Sequence, residues 1–182
     1  MKFSTTLICI FLFQFGSLAQ VPGQSFCDGT SNGSYFPLTI KSKKIIWYGT
    51  TYTEVKRDTI TIAGKVYTTY DQNWADGTTS QLYFREKNGI VYQYEMEHKT
   101  EFVRYDPSYK KGRKWKGVGS FASFKVMSMN ETLQTPICKY ENLMMIKGTY
   151  STGDTYNFYY LKGFGYVGAS NKKGLVSFVS PK

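Results

Sequence analysis

The sequence predicts an all-β protein: a single strongly curved antiparallel sheet or half-barrel of about nine to eleven strands, connected mostly as a meander. Aromatic residues make up 18% of the 182 residues, and Tyr, Phe, Thr and Val at this density favour strands over helices. Short apolar stretches alternate with Gly, Asn and Asp turns. No segment keeps helical spacing, because the nearest candidate, 133–146, is interrupted by Pro136.

The predicted strands follow one another at short intervals. They cover residues 44–55, 58–62, 66–70, 81–87, 90–98, 101–105, 120–129, 137–150, 155–161, 165–169 and 175–179. Ala63-Gly64-Lys65 predicts a tight hairpin, and Asn88-Gly89 predicts another because both residues tolerate positive φ. Residues 71–79 are expected to form a polar loop.

The Asn88-Gly89 hairpin predicts a register and a candidate ligand surface. A two-residue loop places Lys87 opposite Ile90, Arg85 opposite Tyr92 and Tyr83 opposite Tyr94. One face then carries three tyrosines and an arginine. The strand at 120–129 is apolar on both faces, which favours a curved sheet that is filled inside and partly covered outside. We therefore expect these four residues to line a concave binding surface, or, alternatively, to belong to the core. The candidate set is Tyr83, Arg85, Tyr92 and Tyr94.

The first nineteen residues resemble a secretory signal peptide. Lys2 supplies a positive charge, 7–15 is apolar apart from Gln14, and Ser17-Leu18-Ala19 provides small residues for cleavage. The apolar run is short for a membrane anchor, which is the alternative. We expect a signal peptide at 1–19, an N-terminal arm at 20–34 and a single β domain at 35–182, with no transmembrane segment. The product is then periplasmic, on the outer surface or extracellular.

Removal of the signal peptide leaves two of the three cysteines. Cys9 departs with the signal, and Cys27 and Cys138 remain in an oxidising compartment. A disulfide between them would tie the N-terminal arm to a late strand and stabilise the fold by roughly 4 to 5 kcal/mol. Two unpaired thiols are the alternative.

The formal net charge is +10, and one stretch of the chain combines basic and aromatic residues. Export makes nucleic acid an improbable partner, so an anionic membrane surface is one expected contact and a solvated turn is the other interpretation. The basic patch consists of Lys110, Lys111, Arg113, Lys114 and Lys116.

No catalytic, metal or cofactor motif is recognisable. His98 is the only histidine, and a zinc site needs more ligands. Asp71 and Asp76 bracket Trp74 as paired carboxylates or calcium ligands would, although the same residues are typical of turns. We expect no catalytic residue, no metal and no cofactor.

Five motifs carry a resemblance that covers nearly all of the mature chain. The chain resembles a domain-of-unknown-function group of exported Gram-negative envelope proteins, which is similar to the curved half-barrels of the LolA and LolB type. The resemblance implies the fold and export, but no catalytic residue. The chain departs from the pattern of the group at Lys41-Ser42-Lys43-Lys44, where a turn glycine is usual. The motifs are Tyr35-Phe36-Pro37-Leu38, Trp47-Tyr48, 83–92, Thr135-Pro136 and 159–167.

These observations together predict an exported, non-enzymatic envelope protein that binds a partner, or an apolar or anionic ligand, on its curved sheet. One alternative is a carrier or chaperone for acyl chains or lipoproteins, which needs a continuous apolar cavity. Another is an uncharacterised enzyme, which needs a convergent polar cluster.

Overall fold

A computed structural model describes Cys27 and residues 33–118 and 122–180. The predicted signal peptide and most of the predicted N-terminal arm lie outside these residues. Twelve strands form one antiparallel sheet, so the all-β prediction is confirmed and the predicted strand number was too low. The strands are β1 (Ser42–Trp47), β2 (Thr50–Ile62), β3 (Lys65–Trp74), β4 (Thr79–Lys87), β5 (Ile90–Glu95), β6 (Thr100–Tyr105), β7 (Lys114–Lys116), β8 (Ala122–Gln134), β9 (Lys139–Tyr150), β10 (Thr155–Leu161), β11 (Gly165–Asn171) and β12 (Gly174–Ser180).

The sheet order is a meander with one long-range pairing. Chain neighbours pair throughout, except for β6 and β7, which are the two edge strands of the described sheet. At the centre, β1 pairs with β12, and Ile45 lies opposite Val179. The first and last strands therefore join two six-stranded halves, and the sheet is not closed.

A contact between distant strands shows that the sheet is bent. Arg104 of β6 donates a hydrogen bond to the Tyr160 hydroxyl of β10, with 3.3 Å between Nη2 and Oη. These strands are eight positions apart in the sheet order, which in a flat sheet would correspond to about 38 Å. The two halves must therefore face each other across an interior.

Residues 34–40, here called the inner segment, lie in that interior. The Phe36 ring centroid is 5.3 Å from that of Phe84 on β4 and 6.0 Å from that of Tyr160 on β10. Tyr35 is buried, and the Ser34 carbonyl accepts the Gly163 N–H at 2.8 Å. The Tyr-Phe-Pro-Leu motif thus connects the two halves of the sheet through side-chain packing.

The predicted Cys27–Cys138 disulfide is confirmed. It spans 111 residues and places the two Cα atoms 5.1 Å apart. Cys138 is buried beside Leu133, Tyr140 and Leu143, so the bond fixes the chain ahead of the inner segment to the β8–β9 hairpin.

Several predicted element boundaries were wrong. The strand predicted at 58–62 is the end of the longer strand β2. The single strand at 44–55 is two strands, because Tyr48 and Gly49 both have positive φ (48° and 83°) and form a two-residue hairpin turn. The polar loop at 71–79 is shorter, since β3 continues to Trp74. The short edge strand β7 was not predicted, and it pairs with β8 through Trp115 and Phe124.

Candidate functional site

A pocket of about 150 Å³ lies between the inner segment and the sheet. It combines mainly apolar walls with a few polar side chains, as small-molecule sites usually do. The apolar walls include Phe36, Leu38, Tyr52, Tyr70, Leu82 and Phe84, and the polar walls include Lys43, Glu54, Gln72 and Arg104.

Strand alternation places these side chains on one face. Lys43 lies opposite Glu54 in the β1–β2 pair, and Glu54 lies opposite Gln72 in the β2–β3 pair. Directly opposed residues of antiparallel strands point to the same face. A polar row therefore crosses three strands within an otherwise aromatic wall.

Lys43 is the most unusual member of this row. It is 6% exposed, and its Nζ donates to the Tyr166 carbonyl at 3.3 Å and lies 4.5 Å from the Phe164 ring centroid. Burial lowers the pKa of Lys43 to about 8, although the negative charge of Glu54 opposes the change. A buried ammonium with so little hydrogen bonding is costly to the fold.

Gly165 leaves the space that the Lys43 ammonium occupies. A Cβ at this position would lie 3.1 Å from Nζ and 3.3 Å from a ring carbon of Pro37, and the residue has a φ of +84°. A larger residue here would be strained and would displace the ammonium.

Glu54 and the neighbouring tyrosines are held by the inner segment and by β3. The Gln72 amide donates to the Glu54 carboxylate at 3.2 Å, and the Tyr70 hydroxyl donates to the Leu38 carbonyl at 2.9 Å. Burial, and then the charge of Glu54, raise the pKa of both Tyr52 and Tyr70 well above the usual value. Both phenols therefore remain neutral hydrogen-bonding groups.

Arg104 forms part of the opposite wall. Its guanidinium carbon lies 5.7 Å from the ring centroids of both Phe36 and Phe124, and it donates to Tyr160 as described above. The rings hold the guanidinium in place without neutralising its charge.

Tyr166 and Ser177 place two neighbouring buried hydroxyls near the pocket. Burial raises the pKa of Tyr166 well above its usual value, and the nearby Ser177 hydroxyl opposes the rise. Within the described residues neither hydroxyl has a hydrogen-bond partner at ordinary distance. Buried polar atoms of this kind are rare in folded proteins.

The four predicted ligand residues lie on the other face of the sheet. The register predicted for the hairpin is confirmed, with Tyr83 opposite Tyr94 and Arg85 opposite Tyr92. Leu82 and Phe84 line the pocket, so Tyr83 and Arg85, which alternate with them, point away from it. Ligand binding by these four residues stays a prediction.

Arg85 is already paired on that face. Its Nη2 donates to Glu101 at 2.6 Å, and its guanidinium carbon lies 4.1 Å from the Tyr92 ring centroid. Hydrogen bonds from Arg85 and then from Tyr67 and Lys65 lower the pKa of Glu101 to about 2, against the effect of burial. Next to this ion pair, the Tyr94 and Tyr67 ring centroids lie 5.5 Å apart. Arg85 therefore has a carboxylate partner, Glu101, within the protein itself.

The basic patch lies at the open edge of the sheet. Lys110, Lys111 and Arg113 are exposed in the β6–β7 connection, and Lys114 and Lys116 are exposed on β7. Trp115, between the last two, packs on Tyr109 at 4.7 Å and on Phe124 at 5.5 Å. The aromatic members of this stretch thus belong to the packed interior, and membrane contact by the basic ones stays a prediction.

The remaining polar candidates lie in turns and strand ends. Asp76 accepts hydrogen bonds from the backbone and hydroxyl of Thr78, whereas Asp71 lies on β3 and pairs with Arg57 at 2.7 Å. Glu95, Glu97 and His98 bring one possible metal-ligand atom each within 4.8 Å of one another. Glu97 and His98 are exposed in the turn after β5, and nothing else in the described chain points to an ion there.

Sequence reasoning missed Lys43, Glu54 and Arg104. Lys43 was assigned to a basic turn, but it is in phase with Ile45 and Trp47 on β1. A lysine at an inward-facing position of an apolar strand was therefore the available indication. Nothing in the sequence indicated that Arg104 reaches the same pocket, because its approach depends on the bend of the sheet.

Comparison with known proteins identifies similar folds only at low similarity. No model of a protein family matches the chain, and no curated protein matches it in sequence. A Bacteroides fragilis protein, described as exported and with a YmcC-like fold, has 11% identity and a TM-score of 0.45 over 81% of this chain and 97% of its own. A Parabacteroides distasonis protein, described as a lipoprotein, has 12% identity and a TM-score of 0.41 over 82% and 97%. These scores are too low to support a conclusion about this chain.

In the described part of the chain, no helix has the length and apolar character needed to cross a membrane.

Proposed function

We propose that the chain is an exported, non-enzymatic binding protein of the cell envelope, and that its internal pocket binds a small molecule. The observation that carries the proposal is the buried Lys43 ammonium in a mainly apolar pocket. Such a charge destabilises the fold, and perturbed ionisable groups in pockets concentrate at functional sites.

The pocket volume limits the ligand class. A cavity of about 150 Å³ holds a molecule the size of benzene, so the pocket suits a compact ligand. A carrier of long acyl chains or of lipoproteins would need a larger continuous cavity. The carrier alternative is therefore less well supported than a small-molecule binding protein.

The polar contacts support binding rather than catalysis. Among the described residues, hydrogen bonds of the pocket join Lys43 to a carbonyl, Glu54 to Gln72, Tyr70 to a carbonyl and Arg104 to the Tyr160 hydroxyl. None of these pairs places a nucleophile against a base, as covalent catalysis requires.

A thermal-shift screen of small aromatic and aliphatic compounds tests the proposal. Compounds that raise the melting temperature of the wild type should lose their effect in Leu82→Trp, which fills the pocket. They should keep it in Tyr83→Ala, which changes the adjacent residue on the opposite face. The reverse pattern would move the binding site to the tyrosine face of the hairpin.

Export rests on residues 1–19 and has its own test. The protein recovered outside the cytoplasm should begin at Gln20 when its N-terminus is sequenced. Retention of Met1 in that fraction would contradict cleavage of a signal peptide.

A further inference from the structure

We propose that the ligand of the internal pocket is a small organic carboxylate with an apolar body, and that its anionic group lies against Lys43. This inference rests on the proposed function, because it assigns a chemical class to the ligand of that same pocket.

The charges that line the pocket favour an anion. Lys43 and Arg104 are cationic and Glu54 is acidic, so the three leave one positive charge unmatched. Glu54 accepts a hydrogen bond from Gln72, and no ion pair within 4 Å joins it to Lys43 among the described residues, although the two are register partners. The ammonium is therefore not neutralised by direct contact.

The hydrogen-bonding capacity of Lys43 is also largely unused. An ammonium has three N–H donors, and within the described chain a single acceptor, the Tyr166 carbonyl at 3.3 Å, is in range. The Phe164 ring offers its face but no lone pair. A carboxylate supplies two oxygen acceptors, and hydrogen bonds between two ionised groups are about twice as strong as neutral ones.

Arg104 adds a second source of positive potential on the opposite wall. Its guanidinium has five N–H donors, and one of them reaches the Tyr160 hydroxyl at 3.3 Å. The rings of Phe36 and Phe124 both lie 5.7 Å from its guanidinium carbon. An anion in the pocket thus gains from two cations fixed on different strands.

The walls specify the rest of the ligand. Phe36, Leu38, Leu82 and Phe84 present apolar surface to the pocket, and this surface favours a ring or short aliphatic body. A hydrated inorganic anion would lose its water against these walls without replacement. A carboxylate on a benzene-sized body matches both the charge and the volume.

Binding should depend on pH through Lys43. Its pKa of about 8 means that the ammonium required by a carboxylate is lost at higher pH. The other titratable groups that line the pocket are Glu54 and Tyr52 on β2, Tyr70 on β3, Arg104 on β6 and Tyr166 on β11. Because the Tyr52 and Tyr166 phenols have raised pKa values, they stay neutral in the same range.

Isothermal titration with benzoate, benzamide and benzyl alcohol tests this assignment, because the three probes share a ring and differ in charge. Wild type should bind benzoate about tenfold more tightly than benzamide at pH 7. Its benzoate Kd should rise about tenfold from pH 7 to pH 9, while the benzamide Kd stays constant. Lys43→Met should abolish both the preference and the pH dependence but still bind benzamide. Lys44→Met, the exposed neighbour on β1, should behave as wild type.

The possible failures are distinguishable. Equal affinity for benzoate and benzamide in wild type would overturn the anion assignment and leave the pocket as a binding site for neutral molecules. The anion assignment would also be overturned if none of the three probes bound, while compounds from the thermal-shift screen still stabilised wild type and had no effect on Leu82→Trp. Failure of every compound in both experiments would overturn the proposed function as well.

Discussion

Replacement of Lys43 by methionine should stabilise the fold while it removes a ligand contact. The pKa of Lys43 falls from its usual 10.5 to about 8 in the folded protein. Each pH unit of difference corresponds to about 1.4 kcal/mol, so the buried charge costs the fold about 3 kcal/mol at neutral pH. Methionine has similar length and no charge. The loss of the cation near Glu54 offsets part of this effect, so we expect the free energy of unfolding to rise by about 1 to 3 kcal/mol.

The same substitution should change the pH dependence of stability. The folded pKa lies below the unfolded value, so the unfolded chain binds more protons between pH 8 and 10.5. Wild type should therefore become more stable as pH rises, by about 2 kcal/mol between pH 7 and 9.5. Above that range the tyrosines with raised pKa values, such as Tyr52 and Tyr70, reverse the trend. Lys43→Met should lack the rise.

Guanidinium denaturation at pH 7 and 9.5, followed by circular dichroism, measures both effects. Lys44→Met is the matched control, because Lys44 is exposed on the same strand and should change stability by less than about 0.5 kcal/mol. If Lys43→Met were less stable than wild type at pH 7 and kept the rise with pH, the argument from burial would be refuted.

Three further predictions concern the packing and the cross-links of the sheet. Glu101→Gln should remove part of the acid-induced loss of stability, since the pKa of Glu101 is lowered to about 2 and its ion pair is lost between pH 4.5 and 2. Cys27→Ser should lower the free energy of unfolding by roughly 4 kcal/mol, because the disulfide closes a long loop. Gly148→Ala should cost about 1 to 3 kcal/mol, because a Cβ there would lie 2.8 Å from the Phe158 ring.

Denaturation curves check all three, each against its own reference. Glu86 is an exposed acid on β4, so Glu86→Gln should lose stability at low pH as wild type does. Equal behaviour of Glu86→Gln and Glu101→Gln would contradict the role of Glu101. Reduced wild type should match Cys27→Ser. Increased stability of Gly148→Ala would show that the Phe158 ring moves aside without cost.

Local patterns predicted the strands and the hairpin register, but not which face is interior. Asn88-Gly89 sets its register through backbone preferences of two residues. Tyr48-Gly49 has the same geometry without the usual asparagine, so that turn was missed. Local spacing also does not tell the two faces of β4 apart, because contacts with the inner segment and β6 distinguish the tyrosine face from the pocket face. Lys43 and Arg104 meet in one pocket through long-range folding, which local spacing does not encode.

Because β1 pairs with β12, a circular permutant of this chain would have a simpler strand order. If the chain were opened in the connection at 106–113 and its present ends were joined, the strand order would run from β7 to β12 and then from β1 to β6. Every strand would then pair with its neighbour in the chain, and the inner segment would become an internal connection. In the natural order, by contrast, β1 keeps one open edge until the last strand has been synthesised. Folding rates fall as the mean sequence separation of contacting residues rises, so the permuted protein should fold faster to the same sheet.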